Sequence, residues 1–324
     1  MNKTWLIIKR EYITRVRNRT FIISTFLTPM FFVALIAAII FMTPKDKPLP
    51  GALNDSEILK QKIEKKEHSG MAYAVGYTSS FLIYIIILIY GTMVMRGVSE
   101  EKTNRIAEII ISSVKPFQLM MGKIIGIGAV GLTQFLMWMV LVIIFVLVLF
   151  NFLPQDILHE AGKQTSEQQS ANFAAELSSV NLPLIIVCFI FYFVFGYLFY
   201  ASLFAAVGSA ASEDAQDTQS LMLPITMPIV LAIAIMMQVI VNPTSSLATW
   251  SSMVPFFSPV VMMARIPFGV PGTVPWWELG SSMLMLVAGF LFITWLSAKI
   301  YRTGILLYGK KITWREMWKW TIRS

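Results

Sequence analysis

NLPLIIVCFIFYFVFGYLFYASLFAAVGS, residues 181–209, runs for 29 positions without an Asp, Glu, Lys, Arg or His. A helix rising about 1.5 Å per residue is then longer than the roughly 30 Å hydrocarbon core of a bilayer. A surface helix of a soluble protein keeps one polar face, and here there is no charge on any face. Five more stretches have the same character, at 20–42, 71–95, 124–150, 221–241 and 279–298. In lipid, helices satisfy their own backbone hydrogen bonds. The expected fold is all-α and integral to the membrane, with six transmembrane helices. Pro224 and Pro228 are expected to kink the start of the fifth.

Composition agrees. Hydrophobic residues make up 56% of 324 positions and charged residues 14%, against about a quarter charged in soluble domains. The net charge of +8 is not a nucleic-acid signal, because the basic residues gather just outside the apolar runs, where they meet lipid headgroups. No nucleic-acid partner is expected; membrane lipids are. Cys188 lies inside a span and is the chain's one cysteine, so it reads as a small hydrophobe. Six basic residues precede a first run long enough to span, which argues against a cleavable signal peptide. Eighteen of the 26 Lys and Arg residues fall on the side of the two termini, so both termini are expected in the cytoplasm.

The connections differ in character. Residues 43–70 begin as a Pro-rich linker and continue as a charged helical pattern, with Asn54 or Asp55 as cap, that runs into the second span. Residues 151–180 are polar. Residues 242–275 hold six prolines, the single charge Arg265, and Trp250, Phe256, Phe257 and Phe268, and are expected to be re-entrant or interfacial. The tail 301–324 reads as a cytoplasmic amphipathic helix with Trp314, Met317, Trp318 and Thr321 on one face and Arg315, Lys319 and Arg323 on another.

The segment after the second span, RGVSEEKTNRIAEIIISSVKPFQLMMGK at 96–123, carries the functional information. Ile106, Ile109, Ile110 and Ser113 share one helical face, while Glu101, Arg105, Glu108 and Ser112 share a polar one. Glu101 and Arg105 are spaced for an ion pair, and Pro116 ends the helix. Periodicity alone fits an interfacial helix as well as a docking helix. Two acids, a polar turn, an apolar helical stretch, a Ser/Pro break and a Gly-Lys opening the next span resemble the type-2 ABC permeases, most closely their bacterial sodium-efflux-type branch.

That resemblance covers nearly the whole chain and implies a single transmembrane permease domain over 1–324, in a bacterial inner or plasma membrane. It makes 1–19 an elbow helix, with Trp5, Tyr12 and Val16 for the membrane and Lys9, Arg10, Arg15 and Arg17 for headgroups. It makes 96–123 the cytoplasmic coupling segment, seated on a separate ATPase subunit, and pairs the chain with a second permease copy or a paralogue. The residues expected to couple to the ATPase are Glu100, Glu101, Thr103, Asn104, Arg105 and Glu108, with Glu213, Asp214 and Asp217 as a second cytoplasmic contact. Members of that branch usually carry a large soluble domain between the first two spans, whereas 43–70 leaves 28 positions here.

Other motif matches fall to plainer readings. GIGAVG at 126–131 fits G-x-G-x-x-G but lies within a span with no preceding strand, and Gly122 with Gly126 makes a helix-packing pair. GILLYGKK at 304–311 has Lys311 where a P-loop needs Ser or Thr. No ATPase site, catalytic residue, cofactor or metal site is expected, ATP being bound by the partner subunit. His68 and His159 have no neighbours at ligand spacing. Lys123 and Glu278 sit only at span margins, so a proton relay inside the membrane is not expected. ATP-driven export follows as the expected function, of sodium or a small drug by the branch resemblance. A lipid-like cargo and mechanical transmission to an extracytoplasmic process are the alternatives; a membrane-embedded enzyme lacks an acid–base cluster.

Overall fold

A computed structural model describes residues 3–42, 56–152, 181–211, 215–307, 315–317 and 319. Every regular element among them is helical: α1 Lys3–Val16, α2 Arg19–Met42, α3 Ser56–Thr103, α4 Ile106–Ile111, α5 Pro116–Phe152, α6 Leu182–Ala210, α7 Ala215–Val241, α8 Ser246–Met253, α9 Ser258–Arg265, the 3₁₀ turn Ile266–Phe268, and α10 Trp276–Gly304. Five stretches are long and apolar enough to cross a membrane: Gly70–Thr103, Pro116–Phe145, Leu182–Ala210, Thr218–Val241 and Trp276–Gly304. The first expected span, 20–42, is helical as α2 but is not among those five. The charged pattern after residue 55 and the second span form one 48-residue helix, α3, and α7 continues through Pro224 and Pro228.

The chain divides into two compact units: Met1–Ile13, Ala72–Ala129 and Val180–Ser324 in the first, Thr14–Met71 and Val130–Ser179 in the second. In the first unit α6 is the central helix, packing along α10 and against α7 and α9. From Tyr192 to Ala210 nearly every α6 side chain is buried. Its start is fixed by Asn181, whose side chain accepts from the Leu184 N–H at 3.3 Å, and by Pro183 in the first turn. In the second unit the α5 residue Gln134 donates to Ser24 Oγ on α2 at 3.4 Å.

The Pro-rich segment 242–275 is not an extended loop. Ser245 caps α8 by accepting from the Ala248 N–H at 3.2 Å. All eight residues of α9 are buried, against α6, α7, α8 and α10. Glycines let the neighbours approach: a Cβ on Gly76 of α3 would lie 2.7 Å from the Ala264 carbonyl, and one on Gly196 of α6 would lie 2.8 Å from Pro259. Arg265, 1% exposed, staples this hairpin. It donates to the Pro243 carbonyl at 2.9 Å and to Ser252 Oγ at 2.7 Å, and pairs with Glu278 of α10 at 2.9 Å. Ser282 donates to the Ser252 carbonyl and Tyr192 donates to Ser282.

Candidate functional site

The segment 96–123 divides into parts with different surroundings. Helix α3 ends at Thr103, with the Asn104 N–H bonding the Glu100 carbonyl and the Arg105 N–H bonding that of Lys102. Arg105 has φ 55°, a left-handed conformation uncommon for a residue with a Cβ. It separates α3 from α4, so the face drawn from Glu101 to Arg105 and onward is not one helical face. Within α4, Ala107 is fully buried, Ile106 is half-exposed and Ile109 is 75% exposed. The expected apolar face is therefore rotated, with Ala107 inward and Ile109 outward. The C-terminal end is tied by Lys3, whose Nζ donates to the Ser113 carbonyl at 2.7 Å.

The two acids at the end of α3 go separate ways. Glu101 turns inward, 7% exposed, and Lys123 Nζ lies 3.0 Å from its Oε1 and 3.2 Å from Glu11 Oε1 on α1. Arg10, largely exposed, stands 4.0 Å from Glu101. The second Glu101 oxygen and the Tyr301 hydroxyl beyond it are buried with no hydrogen-bond partner among the described residues. Two carboxylates thus share one buried ammonium, and a guanidinium closes the rim. Glu101 holds α1, α3 and α5 together; it does not pair with Arg105 as its spacing suggested.

Glycine makes this junction possible. A Cβ on Gly122 would lie 2.7 Å from Ile7, and one on Gly126 would lie 2.8 Å from Glu11 Cβ and 3.1 Å from the Ile8 carbonyl. The small-residue pair read from the sequence packs against α1, and a Cβ on Gly128 would lie 2.6 Å from the ring of Tyr197 on α6. The GIGAVG stretch therefore serves close packing. On helix α1 Trp5 is 59% exposed, while Ile7 and Glu11 are buried. Next to this cluster, Lys102 Nζ donates to the Ser209 carbonyl at 2.7 Å, a bond to one of the orphan carbonyls at the end of α6.

The other residues of the expected coupling set open onto a pocket. Glu100, Thr103 and Asn104 line a cavity of about 300 Å³ with Met95, Arg96, Ser99 and Thr218 of α7. Glu108 and Asp217 lie on α4 and α7, their side chains outside the described part; Glu213 and Asp214 lie outside the described residues. So do His159, Lys310, Lys311, Trp314 and Trp318. Sequence reading missed Glu11, Lys123, Arg265 and Glu278 as buried partners. One signal was available: Glu11 is the lone acid among the first 45 residues, inside a strongly basic segment.

A family model described as ABC-2 family transporter protein matches residues 57–299. Uncharacterized protein YhaP of Bacillus subtilis is 30% identical over 260 residues, covering 80% of this chain and 58% of that protein. Uncharacterized protein MJ1024 of Methanocaldococcus jannaschii is 27% identical over 270 residues, covering 83% of this chain and 59% of that protein. The chain thus spans under two thirds of the length of these curated relatives. No solved structure matches it significantly.

Proposed function

Because the chain belongs to the ABC-2 family of transporter proteins and is a multi-pass membrane protein, we propose that it is the permease subunit of an ATP-driven exporter, powered by a separate ATPase chain. Helix α2 would supply the sixth span, α1 the elbow, and both termini would lie in the cytoplasm with a second permease copy alongside. The chain itself would bind and hydrolyse no ATP. The supporting observation is α4: a short helix set off from α3 by left-handed Arg105 and held by Lys3, presenting Ile109 75% exposed. An isoleucine so exposed beside Arg105 suits a groove on a partner protein. In this reading Asn104, Arg105, Glu108 and Ile109 meet the ATPase, Glu101 transmits through the Lys123 cluster, and the Glu213, Asp214 and Asp217 connection is a second contact. For the cargo, sodium or a small drug is what the branch resemblance implies; the outward aromatic face of α3, described below, favours an amphiphile.

The test is Arg105→Glu combined with Glu108→Lys, which keeps net charge constant. Losing a desolvated charge pair at an interface costs about 2–5 kcal/mol, against near zero for a rim charge. Normal membrane levels with at least a tenfold loss of ATPase co-purification are expected. An ATPase that still binds and is still stimulated by the double variant would refute the assignment.

A further inference from the structure

The pocket at the end of α3 continues into a stripe that runs up the same helix. Tyr77, Phe81, Tyr84, Leu88, Thr92, Arg96 and Ser99 follow at three- and four-residue steps, the spacing of one helical face. Tyr77 is 43% and Phe81 36% exposed. Their rings stack at 5.9 Å between centroids, and Phe81 stacks on Tyr84 at 6.0 Å. The stripe is thus apolar and aromatic along most of its length and ends in a polar, charged recess of about 300 Å³.

The charges in that recess are unusual for being unspent. Arg96 and Glu100 are one turn apart, both exposed, both lining the pocket, and neither forms an ion pair within 4.0 Å among the described residues. Neighbouring side chains at this spacing sit about 5–6 Å apart at Cβ. A ligand carrying both charges a similar distance apart would satisfy both. Arg96 offers the forked donor geometry that suits phosphate. Glu100, Ser99, Thr103 and Asn104 offer several acceptors, which suit an ammonium with N–H donors and leave a quaternary one without hydrogen bonds. From Arg96 to Phe81 the helix rises roughly 22 Å, about the reach of a long acyl chain.

We propose that the α3 face from Tyr77 to Asn104 binds an amphiphile with a phosphate and a primary ammonium on a two-carbon linker, head in the Arg96–Glu100 pocket and tail along the aromatic stripe. Its being cargo rests on the exporter reading; its binding does not. Basic pockets at the cytoplasmic ends of spans are natural seats for lipid headgroups, and the facing carboxylate turns this one from an anion site into a zwitterion site.

The probe is a lysophosphatidylethanolamine with a diazirine near the end of its tail, photolysed with the purified chain in a neutral maltoside micelle. Adducts are expected between Tyr77 and Thr92. Unlabelled lysophosphatidylethanolamine should compete at concentrations about tenfold below its choline and glycerol counterparts, as expected for a charge-assisted hydrogen bond. Arg96→Gln should lower labelling about tenfold, and Glu100→Gln should abolish the preference over choline, both at normal protein yield. Labelling indifferent to headgroup and to both variants would reduce the stripe to ordinary annular lipid and overturn the proposal. Two further outcomes would also overturn it: disulfide dimers through Phe81→Cys in a Cys188→Ser background that exclude the probe, assigning the face to a second copy, or exclusion of the probe by bound ATPase, assigning the pocket to docking. If the probe fails while the ATPase still co-purifies, the amphiphile site falls and the permease reading stands.

Discussion

Replacing Lys123 by Met removes the buried ammonium that lies against both Glu11 and Glu101 and leaves a side chain of similar length. Lys123 is 2% exposed in its side chain and each carboxylate 9%, at 3.2 and 3.0 Å. At an effective dielectric of about 20, each contact is worth about 5 kcal/mol of Coulomb energy. Desolvating each ion costs several kcal/mol, so most of that gain is offset in the intact cluster. Removing the ammonium leaves two buried carboxylates without the charge they share, and the Arg10 guanidinium, 4.0 Å from Glu101 and 56% exposed, is too distant and too well solvated to replace it. The expected loss for Lys123→Met is about 3–5 kcal/mol. Adding Glu11→Gln and Glu101→Gln removes both carboxylate charges, and the triple variant should recover to within about 1 kcal/mol of the parent. Reversible unfolding of the purified chain in mixed micelles of mild and denaturing detergent measures both. A single variant as stable as the parent, or a triple variant no better than the single, would refute the view that charge pairing closes this junction.

Other outcomes follow from the same structure. Arg265→Lys keeps the charge but cannot reach Pro243, Ser252 and Glu278 together, and should cost about 2–3 kcal/mol in the same unfolding assay. Gly126→Ile places atoms where Glu11 and Ile8 now lie; it should cost at least about 1–3 kcal/mol and make α1 measurably more open to protease. Single cysteines at Ser56, Ser166 and Thr313 in a Cys188→Ser background report sidedness with an impermeant thiol reagent on intact cells: Ser56 and Ser166 should label and Thr313 should not. The purified chain without a partner should show no azido-ATP labelling that cold ATP competes.

The helices were legible in the sequence because lipid imposes one strong rule, a long run without charge, and a run such as 181–209 satisfies it without reference to any other part of the chain. The apolar character of 242–275 was legible as well, since Arg265 stood alone among prolines and aromatics, but its two helices α8 and α9 were not read. What could not be read was the partner of each charge. Glu11 and Lys123 lie 112 positions apart, and Glu101 and Arg105 had the spacing of a pair without the continuous helix that spacing assumes. Arg105 was the reason, because a left-handed residue in the middle of a helical pattern leaves no trace in hydrophobic periodicity. Counting the spans as free of charge was correct for their centres. It hid the fact that the ionisable residues at their margins are buried by neighbouring helices and not by lipid.

The junction of Glu11, Glu101 and Lys123 also has a history in time. Chains are synthesised at about 5–20 residues per second, so Lys123 follows Glu11 by roughly 6–22 seconds. During that interval Lys123 and the glycine seat at 122 and 126 do not yet exist. A carboxylate cannot enter the bilayer alone at acceptable cost, so α1 must wait at the headgroup layer with Glu11 in water. Its Trp5 and its surrounding basic residues suit that waiting position. Docking of α1 is then a late event, awaiting the arrival of α5, and a nascent chain halted before residue 123 should leave its N-terminal helix on the membrane surface.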